Sequence, residues 1–167
     1  SSKADVAIEF SQPEAAFNNL RTCLENNIPV ACGTTGWIER KNEIDSLTKK
    51  LNGTFFYASN YSVGVNIFFK LNRQLAAMMK TFDQYHVSID ETHHTEKKDA
   101  PSGTAITIAE GIMHTMPHKT SWVNKQAEKD EELTIISKRI DPAPGTHTVK
   151  YSSDVDDIEI THAAHNR

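Results

Sequence analysis

The spacing of apolar residues changes along the chain, and this change most constrains the fold. In residues 1–58, short extended runs alternate with segments in which apolar residues recur every three or four positions. The apolar positions of the first run and the first helical segment are Val6, Ile8, Phe10, Phe17, Leu20 and Leu24. Ser11 and Glu14 have the spacing of a capping box, which predicts that the first helix begins just after Ser11.

A second extended run over residues 29–32 stops at Gly33, and a second helical pattern follows it before a third run over residues 54–58. The apolar positions of that second helix are Trp37, Ile44, Leu47 and Leu51. An order of strand, helix, strand, helix, strand requires right-handed crossovers, so the first third predicts a parallel α/β sheet.

The rest of the chain has a different pattern. A long helix with an apolar stripe is predicted after the turn-rich residues 59–66, then a strand ending near Glu91, a polar stretch, and a helix over residues 104–115. The stripe consists of Ile67, Leu71, Leu75, Met78 and Phe82. Three strand-like runs without helices between them end the chain, at residues 133–140, 146–151 and 158–163. This part predicts an α+β lobe with a mixed or antiparallel sheet, giving domains at 1–62 and 63–167.

Composition excludes several classes of protein. With 38% apolar and 24% charged residues, the 167-residue chain has the balance of a folded protein. A net charge of -4 without a run of basic residues argues against nucleic-acid binding. No apolar run is long enough to span a bilayer and no signal peptide is present, so we expect a cytoplasmic protein without membrane contact. Cys23 and Cys32 have no C-x-x-C spacing, which favours buried, reduced thiols.

Two loops follow predicted parallel strands. Gly33, Thr34, Thr35 and Gly36 form the first, and residues 59–62 (Ser59, Asn60, Tyr61, Ser62) form the second. Open α/β sheets bind ligands at the carboxyl ends of their strands, so the two loops are candidates for one rim of a binding crevice. The alternative is that both are structural turns, and the phosphate-binding G-x-G-x-x-G is absent from the sequence.

The segment over residues 91–104, ETHHTEKKDAPSGT, is the strongest candidate for chemistry. Neighbouring residues of a strand point to opposite faces, so His93 and His94 are predicted to face different surroundings. The amides at the start of the following helix, near Gly103 and Thr104, offer an anion site. The simpler alternative is that Ser102 only caps this helix.

This segment, with GTTG and SNYSVGVN upstream, resembles the dihydrodipicolinate reductase family, and the resemblance extends over nearly the whole chain. It implies a Rossmann-type domain over residues 1–62 that binds NADPH or NADH, and a substrate lobe over residues 63–167 that forms a homotetramer. It also implies reduction of 4-hydroxy-tetrahydrodipicolinate, a cyclic imine dicarboxylate, in lysine and diaminopimelate biosynthesis.

The resemblance assigns roles to individual residues. The implied catalytic residues are His93, which handles a proton, and Lys97, which donates one; the implied substrate contacts are His94, Gly103 and Thr104. The implied cofactor contacts are Gly33, Thr34, Thr35, Ser59, Asn60, Tyr61 and Ser62. No metal is implied.

The family pattern is incomplete in this sequence. The glycine-rich loop, the residue that selects NADH or NADPH, and a closing helix beyond Arg167 are not in it. We therefore expect a fragment of a longer protein that turns over slowly or not at all by itself.

Two other classes of function remain open from the sequence. One is a catalytically silent binding module in which the second lobe only oligomerises. The other is a metal-dependent hydrolase that uses His93, His94 and a later pair such as His162 and His165.

Overall fold

The structure is a computed structural model in which residues 4–166 are described. Contacts within it divide the chain into the units Ser1–Tyr61 and Ser62–Arg167. The division falls after Tyr61, one residue before the boundary expected from the sequence. Each unit has its own apolar core.

The described part of the first unit, residues 4–61, holds a parallel three-stranded sheet in the order β1, β2, β3. Its elements are β1 (Ala7–Glu9), α1 (Pro13–Glu25), β2 (Val30–Cys32), a 3-10 turn (Ile38–Arg40), α2 (Lys41–Lys50) and β3 (Phe55–Tyr57). The predicted alternation of strands and helices and the parallel pairing are confirmed.

The two faces of this sheet differ in burial. Leu20, Leu24 and Ile44 from the helices pack with Val30 and Cys32 from β2 in a dry core. Successive residues of a strand point to opposite faces, and the residues between the core positions form a second row. In that row, Ala31 on β2 lies between Ile8 on β1 and Phe56 on β3. The side chains of Ile8 and Phe56 are 76% and 58% exposed. The predicted strand positions are therefore correct, but these side chains lie outside the core.

The predicted capping box is wrong. Helix α1 has Gln12 as its N-cap residue, without a side-chain cap hydrogen bond, and Pro13 is its first residue. Proline fixes its own φ and lacks an N–H, which suits the first helical position and sets the start there. The hydroxyl of Ser11 instead donates to Oε1 of Glu9.

The second unit is built on a mixed sheet that has five strands within residues 62–166, in the order β5, β6, β4, β7, β8. Its elements are α3 (Val63–Met79), β4 (His86–His93), α4 (Gly103–Thr115), β5 (Ser121–Val123), β6 (Glu132–Arg139), β7 (Thr146–Ser152) and β8 (Asp157–Ala163). Strand β4 runs parallel to β6 and antiparallel to β7. The predicted α+β lobe with a mixed sheet is confirmed, while the three-residue β5 was not predicted.

The predicted apolar stripe of α3 is not its buried face. Ile67 and Met78 are 62% and 67% exposed, whereas Phe68, Phe69 and Ala76 pack into the core against α4 and the sheet. The helix has apolar residues on two adjacent faces, so spacing alone does not decide which one is covered. Buried Asn72, whose side-chain amide donates to the Ile108 carbonyl at 3.0 Å, marks the packed face.

Within residues 4–166, no helix combines the length and apolar character needed to cross a membrane.

Candidate active site

The carboxyl end of β4 places Glu91 and His93 on the same, inward face of the sheet. Along β4, Val87 and Ile89 continue this buried series, as the period of two requires. His93 Nδ1 lies 3.1 Å from Glu91 Oε2, which is ion-pair distance but outside hydrogen-bond geometry. The last strand residue therefore carries an imidazole oriented by a buried carboxylate.

Glu91 is completely buried and is surrounded by donors. Its Oε1 accepts from the backbone N–H of Ser102 at 3.0 Å and from Nη2 of Arg139 at 3.1 Å. Burial raises the pKa of Glu91, but the contacts with His93 and Ser102 lower it more, so the net pKa lies well below the usual range of a carboxyl. Glu91 is therefore ionised at neutral pH.

His147 on β7 completes this buried group. Its Nε2 lies 3.1 Å from the Ser102 hydroxyl and 3.7 Å from Glu91 Oε2, and its ring meets the ring of His93 edge to face, with centroids 5.0 Å apart. Burial lowers the pKa of His147 to about 4, and the nearby His93 adds to this effect. His147 is therefore neutral near pH 7 and acts as a packing and hydrogen-bonding partner.

Gly145, just before β7, leaves room for the His93 ring. A Cβ at this position would lie 3.1 Å from Nε2 and 3.2 Å from Cδ2 of His93, at a backbone φ of +157°. These are tighter contacts than side chains normally make. The ring is thus bounded by Glu91, His147 and the Gly145 backbone.

Lys97 lies in the loop between β4 and α4. Its Nζ contacts both carboxylate oxygens of Asp99, at 2.7 and 2.9 Å. The backbone N–H of Lys97 donates to the His94 carbonyl at 3.2 Å. The Lys97 side chain is 22% exposed, so its ammonium is reachable. His94, immediately after β4, is half-buried. His93 and His94 thus have different surroundings, as strand geometry predicts.

Helix α4 begins at Gly103, and Ser102 is its N-cap residue. The Ser102 hydroxyl accepts from the Ala105 N–H at 3.1 Å, so the simpler alternative of a capping role is correct for this side chain. The cap does not exclude an anion site, because Gly103 and Thr104 supply the next amides of the same helix start.

In the first unit, the loops after β2 and β3 are joined by a hydrogen bond. The Tyr61 hydroxyl donates to the Cys32 carbonyl at 3.0 Å, and Trp37 Nε1 donates to the Thr34 carbonyl at 2.7 Å. A Cβ at Gly33 would come within 2.2 Å of the Phe10 ring, so only glycine fits there without moving that ring. The loop residues Gly33, Thr34, Thr35, Ser59, Asn60 and Tyr61 all belong to this unit.

Ser62, the last predicted cofactor contact, begins the second unit. Its hydroxyl accepts from the Val65 N–H at 3.4 Å and caps helix α3.

Both cysteines are free. Cys32 is buried and Cys23 is half-buried, so the prediction of reduced thiols is confirmed and that of full burial holds for Cys32 alone. Burial raises the pKa of Cys32 to about 12, which makes this thiol unreactive.

The histidines that cluster in the structure are not the set expected for a metal-dependent hydrolase. Among residues 4–166, the one cluster with metal-ligand spacing is Glu91, His93 and His147, whose ligand atoms lie within 4.8 Å of one another. His94, His162 and His165 are not part of it. A divalent cation there would sit beside the Arg139 guanidinium, which already occupies the other oxygen of Glu91. The arrangement suits a hydrogen-bonded network better than a metal centre.

The sequence did not point to Arg139 or His147 as members of this site. A signal exists for His147, since it continues the inward series of Val149 and Tyr151 on β7, and an inward histidine needs a polar partner. No comparable signal marks Arg139, because its contacts come from a different part of the chain.

Comparison with known proteins agrees with this architecture. The N-terminal model of dihydrodipicolinate reductase matches residues 1–61, and the C-terminal model matches residues 64–167. Both halves are thus those of an oxidoreductase whose N-terminal domain binds a nicotinamide dinucleotide. The chain belongs to the dihydrodipicolinate reductase family.

Individual relatives agree with the family match. The chain is 49% identical over 163 residues to the 4-hydroxy-tetrahydrodipicolinate reductase of Christiangramia forsetii, covering 98% of this chain and 68% of the relative. It is 34% identical to the enzyme of that name from Methanoregula boonei, covering all of this chain and 65% of the relative. The chain thus spans about two thirds of the length of these relatives.

A solved structure has the same fold. Dipicolinate-bound dihydrodipicolinate reductase from Paenisporosarcina sp. TG-14 superposes with a TM-score of 0.67 at 27% identity, covering 97% of this chain and 63% of that one.

Proposed function

We propose that the protein containing this chain reduces 4-hydroxy-tetrahydrodipicolinate to tetrahydrodipicolinate with NADPH or NADH, in lysine and diaminopimelate biosynthesis. One observation carries the proposal. In a chain that matches both halves of this reductase family, strand β4 ends at an oriented imidazole, His93, and the loop that bears Lys97 follows it directly. The helix that follows this loop begins at Gly103, where an anion can be bound.

The cofactor residues fit the nicotinamide half of a dinucleotide. The candidate contacts Gly33, Thr34 and Thr35 follow β2, and Ser59, Asn60, Tyr61 and Ser62 follow β3. These strands are parallel neighbours, and their carboxyl ends form the edge at which such sheets bind dinucleotides. When bound, the reduced nicotinamide supplies the hydride.

Lys97 is proposed as the proton donor. Loss of the 4-hydroxyl as water gives a ring double bond conjugated with the imine. Hydride addition to that double bond leaves negative charge at the other end of the conjugated system, and a nearby cation that can give a proton there lowers the barrier. The ammonium of a lysine can donate that proton. Lys97 must exchange its contact with Asp99 for one with the substrate.

His94 and the start of α4 are proposed to bind the substrate, and His93 is proposed to handle a proton. The Gly103 and Thr104 amides face one carboxylate of the dicarboxylate, and His94 contributes a further polar contact. Because Nδ1 of His93 lies against Glu91, its Nε2 is the nitrogen that can exchange a proton with substrate or Lys97.

Turnover by the full-length protein tests this function. With 4-hydroxy-tetrahydrodipicolinate and NADPH or NADH, the reduced cofactor should lose its absorbance at an enzyme turnover of about 1 to 1000 per second. A rate equal to that without protein, for both cofactors, would contradict the proposal.

We propose, in addition, that the second unit forms a homotetramer through the outer face of its sheet. That face is polar and paired, with the Thr148 and Thr161 hydroxyls 3.0 Å apart and Lys138 bonded to Asp90 at 3.0 Å. A face that is repeated on every copy can pack on the same face of another copy. Light scattering on the full-length protein should return four chains, and a monomer at high concentration would contradict this assembly.

A cytoplasmic location is also proposed, supported by the two free cysteines, because free thiols persist in reducing compartments.

A further inference from the structure

Arg139 is the last residue of β6 and lies opposite His93 in the parallel register of β6 and β4. Its guanidinium reaches four groups at once. Nη2 donates to Glu91 Oε1 at 3.1 Å and to the Asp99 carbonyl, and Nε donates to the Lys97 carbonyl at 3.3 Å. Nη1 donates to the carbonyl of the preceding residue, Lys138, at 2.8 Å. The side chain is 19% exposed, so these contacts replace most of its water.

Two of the carbonyls that Arg139 binds belong to the loop, those of Lys97 and Asp99. They therefore fix the backbone on both sides of Lys98 and hold the proton donor's own backbone in place. Thr95 attaches the same loop at a second point, since its N–H and hydroxyl donate to the Asp141 carboxylate at 3.0 and 2.6 Å.

Glu91 is the partner that fixes Arg139. A buried carboxylate is costly unless its oxygens are paired, and Glu91 is paired with Arg139, with the Ser102 N–H and with His93. One carboxylate thus touches the imidazole, the start of α4 and the arginine that holds the lysine loop. The two ends of the proposed proton-handling pair are mechanically joined through Glu91 and Arg139.

We propose that Arg139 and Glu91 are positioning residues of the reductase: Glu91 orients His93 and the start of α4, and Arg139 holds the loop that presents Lys97. This inference rests on the proposed function. Arginine suits the role better than lysine, because its planar fork donates in several fixed directions whereas an ammonium acts as a point charge. Neither residue needs to touch the substrate.

The test is a double-mutant cycle on the full-length enzyme. Arg139→Gln should lower kcat by about tenfold to a hundredfold, because a displacement of about 1 Å at a catalytic group costs up to about a hundredfold in rate. KM for the reduced cofactor should stay within about twofold, since the hydrogen bonds of Arg139 go to Glu91, to the Lys97 loop and to Lys138 and not to the proposed cofactor residues. If Arg139 acts through Lys97, Lys97→Ala together with Arg139→Gln should be no slower than Lys97→Ala alone, within about twofold.

Two further variants keep the test decisive. Arg139→Lys preserves a positive charge beside Glu91 and so protects the fold, but it loses the fork, and it should show most of the kcat loss. Lys138→Gln is the matched control, because the neighbouring Lys138 is exposed and pairs with Asp90 on the outer face, and its kcat should stay within about twofold.

The outcomes separate this inference from the function on which it rests. Absence of turnover in the wild-type enzyme would remove the proposed function itself. Normal turnover in the wild type with near-normal kcat in folded Arg139→Lys, or losses that simply multiply in the double mutant, would overturn the positioning role alone.

Discussion

The backbone N–H of Ser102 donates to Glu91 Oε1 at 3.0 Å, which ties the start of helix α4 to the buried end of strand β4. The first amide of this helix start is therefore occupied by a carboxylate of the chain itself. In the proposed function, this leaves the later amides, those of Gly103 and Thr104, for a substrate carboxylate. Ser102 therefore has two roles, since its hydroxyl caps the helix while its backbone N–H binds Glu91.

Replacement of Lys97 should separate catalysis from folding. If Lys97 donates the proton, Lys97→Ala in the full-length enzyme should lower kcat by about a hundredfold to ten-thousandfold and change KM far less. Lys98→Ala is the control, because Lys98 is exposed, and its rate should change by less than about tenfold. Both variants should have melting temperatures near that of the wild type. Near-normal turnover of Lys97→Ala would make His93 the next candidate acid.

A methyl group at Gly145 should disturb His93 without touching Lys97. Gly145→Ala places a Cβ about 3.1 Å from Nε2 of His93. The His93 ring already packs against the ring of His147 on another side. We expect the ring to shift by a few tenths of an ångström and kcat to fall by about tenfold or more. Steady-state kinetics and the histidine NMR signals would report this. An unchanged His93 resonance with full activity would show that the contact is not limiting.

A methyl group at Gly33 should act on cofactor binding. Gly33→Ala would bring a Cβ within 2.2 Å of the Phe10 ring, and Phe10 is 61% exposed, so the ring can swing aside at little cost to stability. The displaced ring and the altered strand-end loop should raise the Kd of NADPH by about tenfold, or about 1.4 kcal/mol. Cofactor fluorescence titration measures this, and an unchanged Kd would exclude Gly33 from the cofactor site.

Acid should destabilise the protein partly through His147. Folding lowers the pKa of this histidine from 6.5 to about 4, so between these values the unfolded chain binds a proton that the folded chain does not. The stabilisation is fully present above pH 6.5 and is lost as the pH falls toward about 4, by at most about 3 kcal/mol. Urea unfolding at about pH 7 and about pH 5 should show the loss.

The control for this titration is the exposed His118. His147→Gln should unfold with a smaller change between the two pH values, whereas His118→Gln should keep the change seen in the wild type. Equal pH dependence in the wild type and His147→Gln would contradict the assignment. Glu91 adds a further loss at lower pH: folding lowers its pKa well below the ordinary value of 4.5, so below pH 4.5 the unfolded chain binds a proton that the folded chain does not.

The order of strands and helices was predictable because it follows from the spacing of apolar residues within each segment. The pattern around β1, α1, β2, α2 and β3 is local, and it was correct. The face of α3 that is buried was not predictable, because Ile67 and Phe68 are equally apolar and only the position of α4 and the sheet decides between them. The start of α1 depended on whether Ser11 or Pro13 set the first turn, a competition that spacing alone does not resolve.

The residues of the candidate site were likewise predictable only in part. His93, His94, Lys97, Gly103 and Thr104 lie within twelve residues, so one motif named them together. Their roles remain proposals. Arg139 and His147 reach the same place only through the pairing of β4 with β6 and β7, more than forty residues further along the chain. Such long-range pairing is decided by the whole sheet, which local sequence patterns do not contain.

The mixed direction of the second sheet also sets when the site can form during synthesis. Strand β4 needs β6 on one side and β7 on the other before Arg139, Gly145 and His147 surround His93. A nascent chain that has emerged only as far as α4 carries Lys97 and His93 but leaves Glu91 without its guanidinium partner. The ribosome must therefore release most of the second unit before any proton-handling centre exists, so a chain that stalls early should remain inert rather than partly active.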